Sequence, residues 1–181
     1  MLPSWTHGLS ARDEPTALEA FVARRMRRHA LSGGARALQN PVPLADRVLS
    51  EARDHFADHC ALCHGNDGRG QTAIGRNLYP KAPDMTSADT QSLSDGEIFY
   101  VIKNGIRLTG MPAWGEDTPE DDRESWKLVH FIRHLPRISP EELQEMEEAN
   151  PRTREELEEE EEARRFLEGG EEPQGKPVHR R

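Results

Sequence analysis

The stretch HFADHCALCHGNDGRG constrains this chain more than any other. Of 181 residues only two are cysteine, Cys60 and Cys63, and they fall within four positions, with His64 following at once. Two thiols at that spacing share one helical turn. A thioredoxin-like redox pair needs a βαβ setting, which the flanking sequence lacks. A zinc site is a second reading, because His55, His59, Cys60, Cys63 and His64 crowd one stretch. Structural zinc sites, however, usually draw their ligands from two separated pairs, and here all would come from one helix end. A simple disulfide between neighbours is the third reading.

The C-x-x-C-H spacing is the attachment signature for a c-type haem. Each thiol can add to a vinyl group, and His64 then lies under the iron as its proximal ligand. One motif implies one haem. The opposite axial position needs another donor, and Met111 stands in NGIRLTGMPAWG, where Gly110 and Pro112 shape a tight loop between two predicted helices. Met85, in APDMT, competes for that role, and either methionine could instead be a core residue. Helix placement favours Met111. His/Met ligation leaves no open site for substrate or dioxygen, so the expectation is an electron carrier and not an enzyme. A haem sensor or enzyme with open iron is the weaker alternative. His55 and His59 are read as solvated residues near the helix end.

Charge is unevenly spread. Between Glu141 and Glu172 there are 15 acidic and 4 basic residues, a balance of −11 against −9 for the whole chain, leaving +2 elsewhere. The acidity belongs to the tail, and the basic footprint of a nucleic-acid binder is missing. No apolar run reaches the roughly 18 to 20 residues of a bilayer span, and no signal-peptide apolar region follows Met1. Membrane association is therefore expected only through a segment not in this chain or through the N-terminal helix.

Periodicity predicts the helices. Leu18, Phe21, Val22 and Met26 recur at helical spacing within a helix from about Pro15 to Leu31, with Arg24, Arg25, Arg27 and Arg28 as a basic cluster; Ser32, Gly33 and Gly34 stop it. QNPVPLAD reads as a stiff linker. Leu44, Val48, Leu49, Ala52 and Phe56 mark an amphipathic helix that delivers Cys60 at its C-terminal end. A capping box at Ser94–Glu97 opens a helix that ends at Gly105. Thr118 caps another, with Pro119 at its first position, running through Trp126, Val129, Phe131, Ile132 and Leu135 to Pro136. In the tail, Ser139–Glu142 and Thr153–Glu156 are further capping boxes, and the pairs Glu160/Arg164 and Glu161/Arg165 offset like-charge repulsion. Strand signals are weak, so the expectation is an all-α protein in three parts: an N-terminal extension (1–43), a haem domain (44–137) and an acidic helical tail (138–181).

With these motifs in view, residues Leu44 to Leu135 resemble the class I monohaem cytochromes c, through CALCHG (60–65), GMPAWG (110–115) and WKLVHFIRHL (126–135). The resemblance implies the cytochrome c fold, one haem c, His64 and Met111 as axial ligands, and a helix crossing of Ala52 and Phe56 against Leu128 and Phe131. The short loop before Met111 is more similar to small bacterial cytochromes. Many relatives carry G-P-x-L after the haem motif, whereas this chain reads Gly75-Arg76-Asn77-Leu78. The resemblance gives Leu78 a packing role and leaves the carbonyl that orients His64 open between Arg76 and nearby Pro80. Arg76 and Lys81 are candidate propionate partners, and Trp114 is expected beside the haem edge. Redox proteins are implied as electron donor and acceptor, in a periplasmic or otherwise extracytoplasmic setting, possibly membrane-tethered. The alternative is a fixed haem subunit of a larger membrane oxidoreductase.

Overall fold

In the computed structural model, residues 33–152 are described continuously, together with 10, 11, 13, 16–19, 21, 22, 25, 161, 164, 165 and 167. All regular structure among them is helical. The elements are α1 (Gly33–Ala37), α2 (Asp46–His55), a π-helical turn (Phe56–Cys60), α3 (Ala61–His64), a 3-10 turn (Gly75–Asn77), α4 (Ala88–Gln91), α5 (Asp95–Asn104), α6 (Pro119–His134), a 3-10 turn (Leu135–Arg137) and α7 (Pro140–Ala149).

The centre is the packing of α2 on α6. Ala52 is fully buried, and its small side chain lets the two helices approach; one turn on, Phe56 meets Phe131 with ring centroids 5.1 Å apart. Val129 and Leu128 complete the apolar face. Next to it, Phe99 of α5 stacks on Trp126 of α6 at 4.1 Å and 4°. Charges clamp the edges. Lys127 reaches Glu51 on α2 and Glu124 on its own helix, each at 2.7 Å. The Arg133 guanidinium donates to Asp95 and to the carbonyls of Gln91 and Leu93, fixing the start of α5 against α6.

The caps read from sequence are present. Ser94 Oγ accepts from the Glu97 amide while Glu97 accepts from the Ser94 amide, and Thr118 caps α6 over Pro119. Helix α2 departs from expectation, because its last turn widens into the π-helical turn that presents Cys60. Such turns collect at functional sites.

Two segments outside the expected haem domain pack onto it. α1 and the linker expected at QNPVPLAD form a belt: Ala35 and Val42 are buried, Asn40 Nδ2 donates to the Trp126 carbonyl at 2.9 Å, His130 Nε2 sits 2.7 Å from the Val42 carbonyl, and Arg36 pairs with Glu97. At the other end, the expected division at 137/138 falls inside a compact unit that runs to Asn150. Helix α7 buries Met146 completely and pairs Glu145 with Arg53 and Glu142 with His134. With its amide oriented by its neighbours, Asn150 donates to the Ala57 carbonyl at 3.0 Å and exchanges hydrogen bonds with Asn66. The tail's acidity had hidden this one apolar anchor.

Pro151–Arg181 is a second unit. Its residues 161, 164, 165 and 167 are helical, and Arg165 pairs with Glu161 at 2.6 Å, as the spacing predicts. The expected cap at Thr153 and the Glu160/Arg164 pair lie outside the described residues, as does much of the helix expected over 15–31.

Two outcomes follow from this packing. Truncation after Asn150 leaves the urea midpoint of the first unit unchanged, whereas Met146→Ala lowers its stability by about 2–5 kcal/mol, the usual cost of emptying a buried methionine site. The second outcome concerns acid. Burial pushes the Glu97 carboxyl up, but the Ser94 amide and Arg36 outweigh this and hold it below the usual carboxylate range. Glu142 behaves alike, with burial raising it and the Ser139 amide and His134 lowering it further. A carboxyl depressed in the folded state stabilises above its unfolded pKa and loses that contribution as pH falls through the folded value. Glu97→Gln together with Glu142→Gln therefore flattens the acid limb of stability against pH, read from urea midpoints at stepped pH.

Candidate haem-binding site

A single cavity gathers most of the residues singled out by sequence. The space between its walls, open solvent at the mouth included, is about 940 Å³. The π-helical turn and α3 contribute Cys60, Cys63 and His64. The segment after them contributes Leu78, Lys81, Pro83 and Met85; α5 and its following loop contribute Ile102, Ile106, Met111 and Trp114; α6 adds Leu128 and Ile132.

Local geometry explains why these side chains converge. The widened turn ends with the Ala61 amide donating to the Phe56 carbonyl, and the chain then coils once more through Cys63 and His64. Thr72 Oγ1 donates to the Cys63 carbonyl at 3.1 Å and accepts from the Gly75 amide at 2.8 Å, folding the next segment back under the motif. The Met111 loop is tied to itself and to α5. The Ile106 amide donates to the Met111 carbonyl, the Thr109 hydroxyl donates to the Ile106 carbonyl and accepts from the Met111 amide, and the amides of Trp114 and Gly115 donate to the carbonyls of Ile102 and Lys103. Gly105 makes the turn at φ +63°, where an added Cβ would lie 2.5 Å from the Pro112 carbonyl carbon. Gly110 allows Leu78 to close the wall, since a Cβ there would come within 2.6 Å of the leucine.

The electrostatics suit an apolar cofactor with one histidine ligand. Both thiols are free, and burial, with a smaller contribution from Cys63, pushes the Cys60 thiol up to about 12. His64 is 8% exposed; burial lowers its imidazole to about 4, opposed by the Pro83 carbonyl. His64 Nδ1 is buried and makes no hydrogen bond of standard geometry. No hydrogen bond joins His64 to the carbonyl of Arg76 or Pro80, the two expected from sequence, and the backbone group that raises its imidazole is Pro83.

Arg76 differs from expectation in a second way: it is exposed on the 3-10 turn and is not part of the cavity wall, while Lys81 is. Trp114 lines the cavity with 37% of its surface exposed. His59, read from sequence as solvated, also lines the wall, its ring edge-on to Trp114 at 5.6 Å and to His55 at 5.0 Å. The sequence signal for it is faint: His59 precedes Cys60 and follows His55 by one turn. Met85 and Met111 both reach the cavity. No three His, Cys, Asp or Glu side chains among the described residues are grouped to hold a metal ion.

Residues 47–132, just under half of the chain, match the family model described as cytochrome c oxidase, cbb3-type, subunit III. The match spans the motif, the cavity and the α2/α6 packing but stops short of α1 and α7. It supports a c-type cytochrome, and the all-α architecture agrees with the cytochrome c fold. A chain of the Kuenenia stuttgartiensis reducing HAO-like protein complex superposes with a TM-score of 0.44 at 22% identity, covering 54% of this chain and 49% of that one. The present chain thus spans about half of that structure, and a likeness at this level carries no functional argument. No curated protein matches the sequence.

The residues present fit a haem: two free thiols at the attachment spacing, a buried imidazole with an unmade hydrogen bond, apolar walls and a thioether on a pinned loop. The backbone strain at Gly105 gives a test of that loop. Gly105→Ala forces a conformation open essentially to glycine alone and costs about 1–3 kcal/mol of stability, measured by urea unfolding, whereas Ala113→Gly, in the same loop, costs less.

Proposed function

We propose that this protein carries single electrons by means of one haem c, joined by thioethers to Cys60 and Cys63 and ligated by His64 and Met111. The observation carrying this reading is the convergence of both cysteines, the buried His64 and the Met111 loop on one apolar cavity. When bound, the haem supplies a one-electron couple whose potential is raised by a histidine and methionine ligand pair.

Each residue has a stated task. Burial keeps His64 neutral at pH 7, so its nitrogen lone pair is available for iron. The Pro83 carbonyl, which acts on the imidazole against burial, is the group that would accept the Nδ1 proton and so set the ring's tautomer and orientation with haem bound. The choice between the two methionines rests on their packing: Met85 belongs to the buried core, whereas Met111 is half-buried on a loop that lines the cavity. Leu78, Ile102, Leu128 and Ile132 exclude water. Lys81 is the cation on the wall that suits a propionate. The carrier works outside the cytoplasm, exchanging electrons with redox proteins.

The family description names an oxidase subunit, which favours a second reading in which the chain is a fixed haem subunit of a larger membrane oxidoreductase. Co-purification with membrane proteins in mild detergent separates that role from a free carrier.

Protein matured with haem-attachment machinery is expected to show a sharp low-spin α band on reduction and to titrate as a single one-electron wave. Met111→Ala abolishes the ferric methionine-to-iron charge-transfer band and lets the reduced protein bind carbon monoxide; Met85→Leu does neither. Loss of the band in Met85→Leu instead, or carbon monoxide binding by the unaltered protein, would contradict the ligand assignment.

A further inference from the structure

Near the N-terminus the chain carries a helix that the haem reading does not use. Its start is built: the Thr16 amide donates to Glu19 Oε2 at 2.7 Å, and the Glu19 amide donates back to Thr16 Oγ1 at 3.3 Å, a reciprocal cap. Residues 17–19, 21, 22 and 25 are helical. Leu18, Phe21 and Val22 stand at i, i+3 and i+4 spacing, which places them on one face. That face is not covered: Leu18 is 71% exposed, Phe21 59% and Val22 44%. An exposed leucine alone means little, but three apolar neighbours on one helical face form a patch.

The sequence directly after the patch is ARRMRRH, so Arg24, Arg25, Arg27 and Arg28 place four positive charges within five positions, and Glu19 is the one acidic residue from Ala17 to His29. Arg25 is exposed. The rest of the protein has the opposite character, with the acidity concentrated after Glu141. The apolar face ends in Arg25, at i+3 from Val22 and i+4 from Phe21, with three further arginines beside it in sequence; a helix with such side chains can lie in the plane of a lipid surface, its apolar groups among the acyl chains and its cations at the headgroups. A long arginine can lie along the apolar layer with its guanidinium among phosphates. No helix among the described residues is long and apolar enough to cross a membrane.

We propose that the helix beginning at Thr16 docks on an anionic phospholipid bilayer, inserting Leu18, Phe21 and Val22 and drawing on the charge of Arg24, Arg25, Arg27 and Arg28. Such contact holds the cytochrome unit at a membrane, whatever its redox partners, and does not depend on the haem assignment. Charge complementarity selects this occupant over a neutral apolar partner, because a purely apolar contact has no use for four adjacent arginines.

The test is flotation of the purified full chain with vesicles of phosphatidylcholine alone or containing about one quarter phosphatidylglycerol. Binding is expected to the mixed vesicles, at least tenfold weaker to phosphatidylcholine alone, and several-fold weaker in about 0.5 M salt, where the screening length shrinks to a few ångströms. The double variant Leu18→Glu/Phe21→Glu is expected to lose binding at least tenfold with an unchanged urea midpoint, because both side chains are already exposed. Replacing the four arginines by glutamine is expected to remove the preference for phosphatidylglycerol. Absence of flotation with mixed vesicles overturns the proposal, as does equal binding by the double variant. A concentration-dependent dimer that the double variant abolishes, without vesicle binding, also overturns it and assigns the face to a second copy of the chain.

Discussion

The contact of Ala52 and Phe56 with α6 is the constraint on which the rest of the first unit depends. A side chain with one carbon at position 52 brings two helix backbones close, and the aromatic pair Phe56/Phe131 then fixes their rotation. Because Phe56 opens the π-helical turn that ends at Cys60, the same packing sets where both cysteines and His64 emerge. Core and site are therefore coupled through a single turn. The charged clamps at Lys127 and Arg133 hold the neighbouring elements around this pair, but they sit at its edges, where solvent limits what an ion pair contributes.

Two segments that line the cavity are built differently. The segment after His64 is held by backbone, with Thr72 hydrogen-bonding across the chain to Cys63 and Gly75. The segment that bears Met111 is a self-bonded loop hung from the end of α5, and it depends on Gly105 for a turn that other residues resist. Asn150 adds an anchor beyond both segments, tying the Ala57 carbonyl and Asn66 to the end of α7.

Much of this was legible in the sequence, for identifiable reasons. Capping boxes at Ser94 and Ser139 and the cap at Thr118 are local chemistry, and the helices start where those residues stand. The C-x-x-C-H spacing is equally local, and the structure brings its residues together with Met111, Leu78 and Trp114 in one cavity. What escaped depends on contacts between distant residues. The widening of α2 into a π turn leaves the apolar period unchanged until Cys60, so periodicity cannot reveal it. QNPVPLAD reads as a linker because its prolines break helices, yet Val42 and Asn40 find partners on α6. Helix α7 reads as solvated because glutamates outnumber its apolar residues, and the burial of Met146 decides otherwise. On the 3-10 turn, Gly75 is buried and Leu78 reaches the cavity while Arg76 is exposed, a division that sequence proximity does not reveal.

The most direct measurement of the central claim is the intact mass of the denatured chain after maturation with haem-attachment machinery, with the visible spectrum recorded on the same denatured sample. The account predicts a mass increased by one haem with no free thiol left at Cys60 or Cys63, and a haem spectrum that stays with the polypeptide. A chain at its unmodified mass with both thiols alkylatable, obtained from cells that attach haem to a control cytochrome, would contradict it.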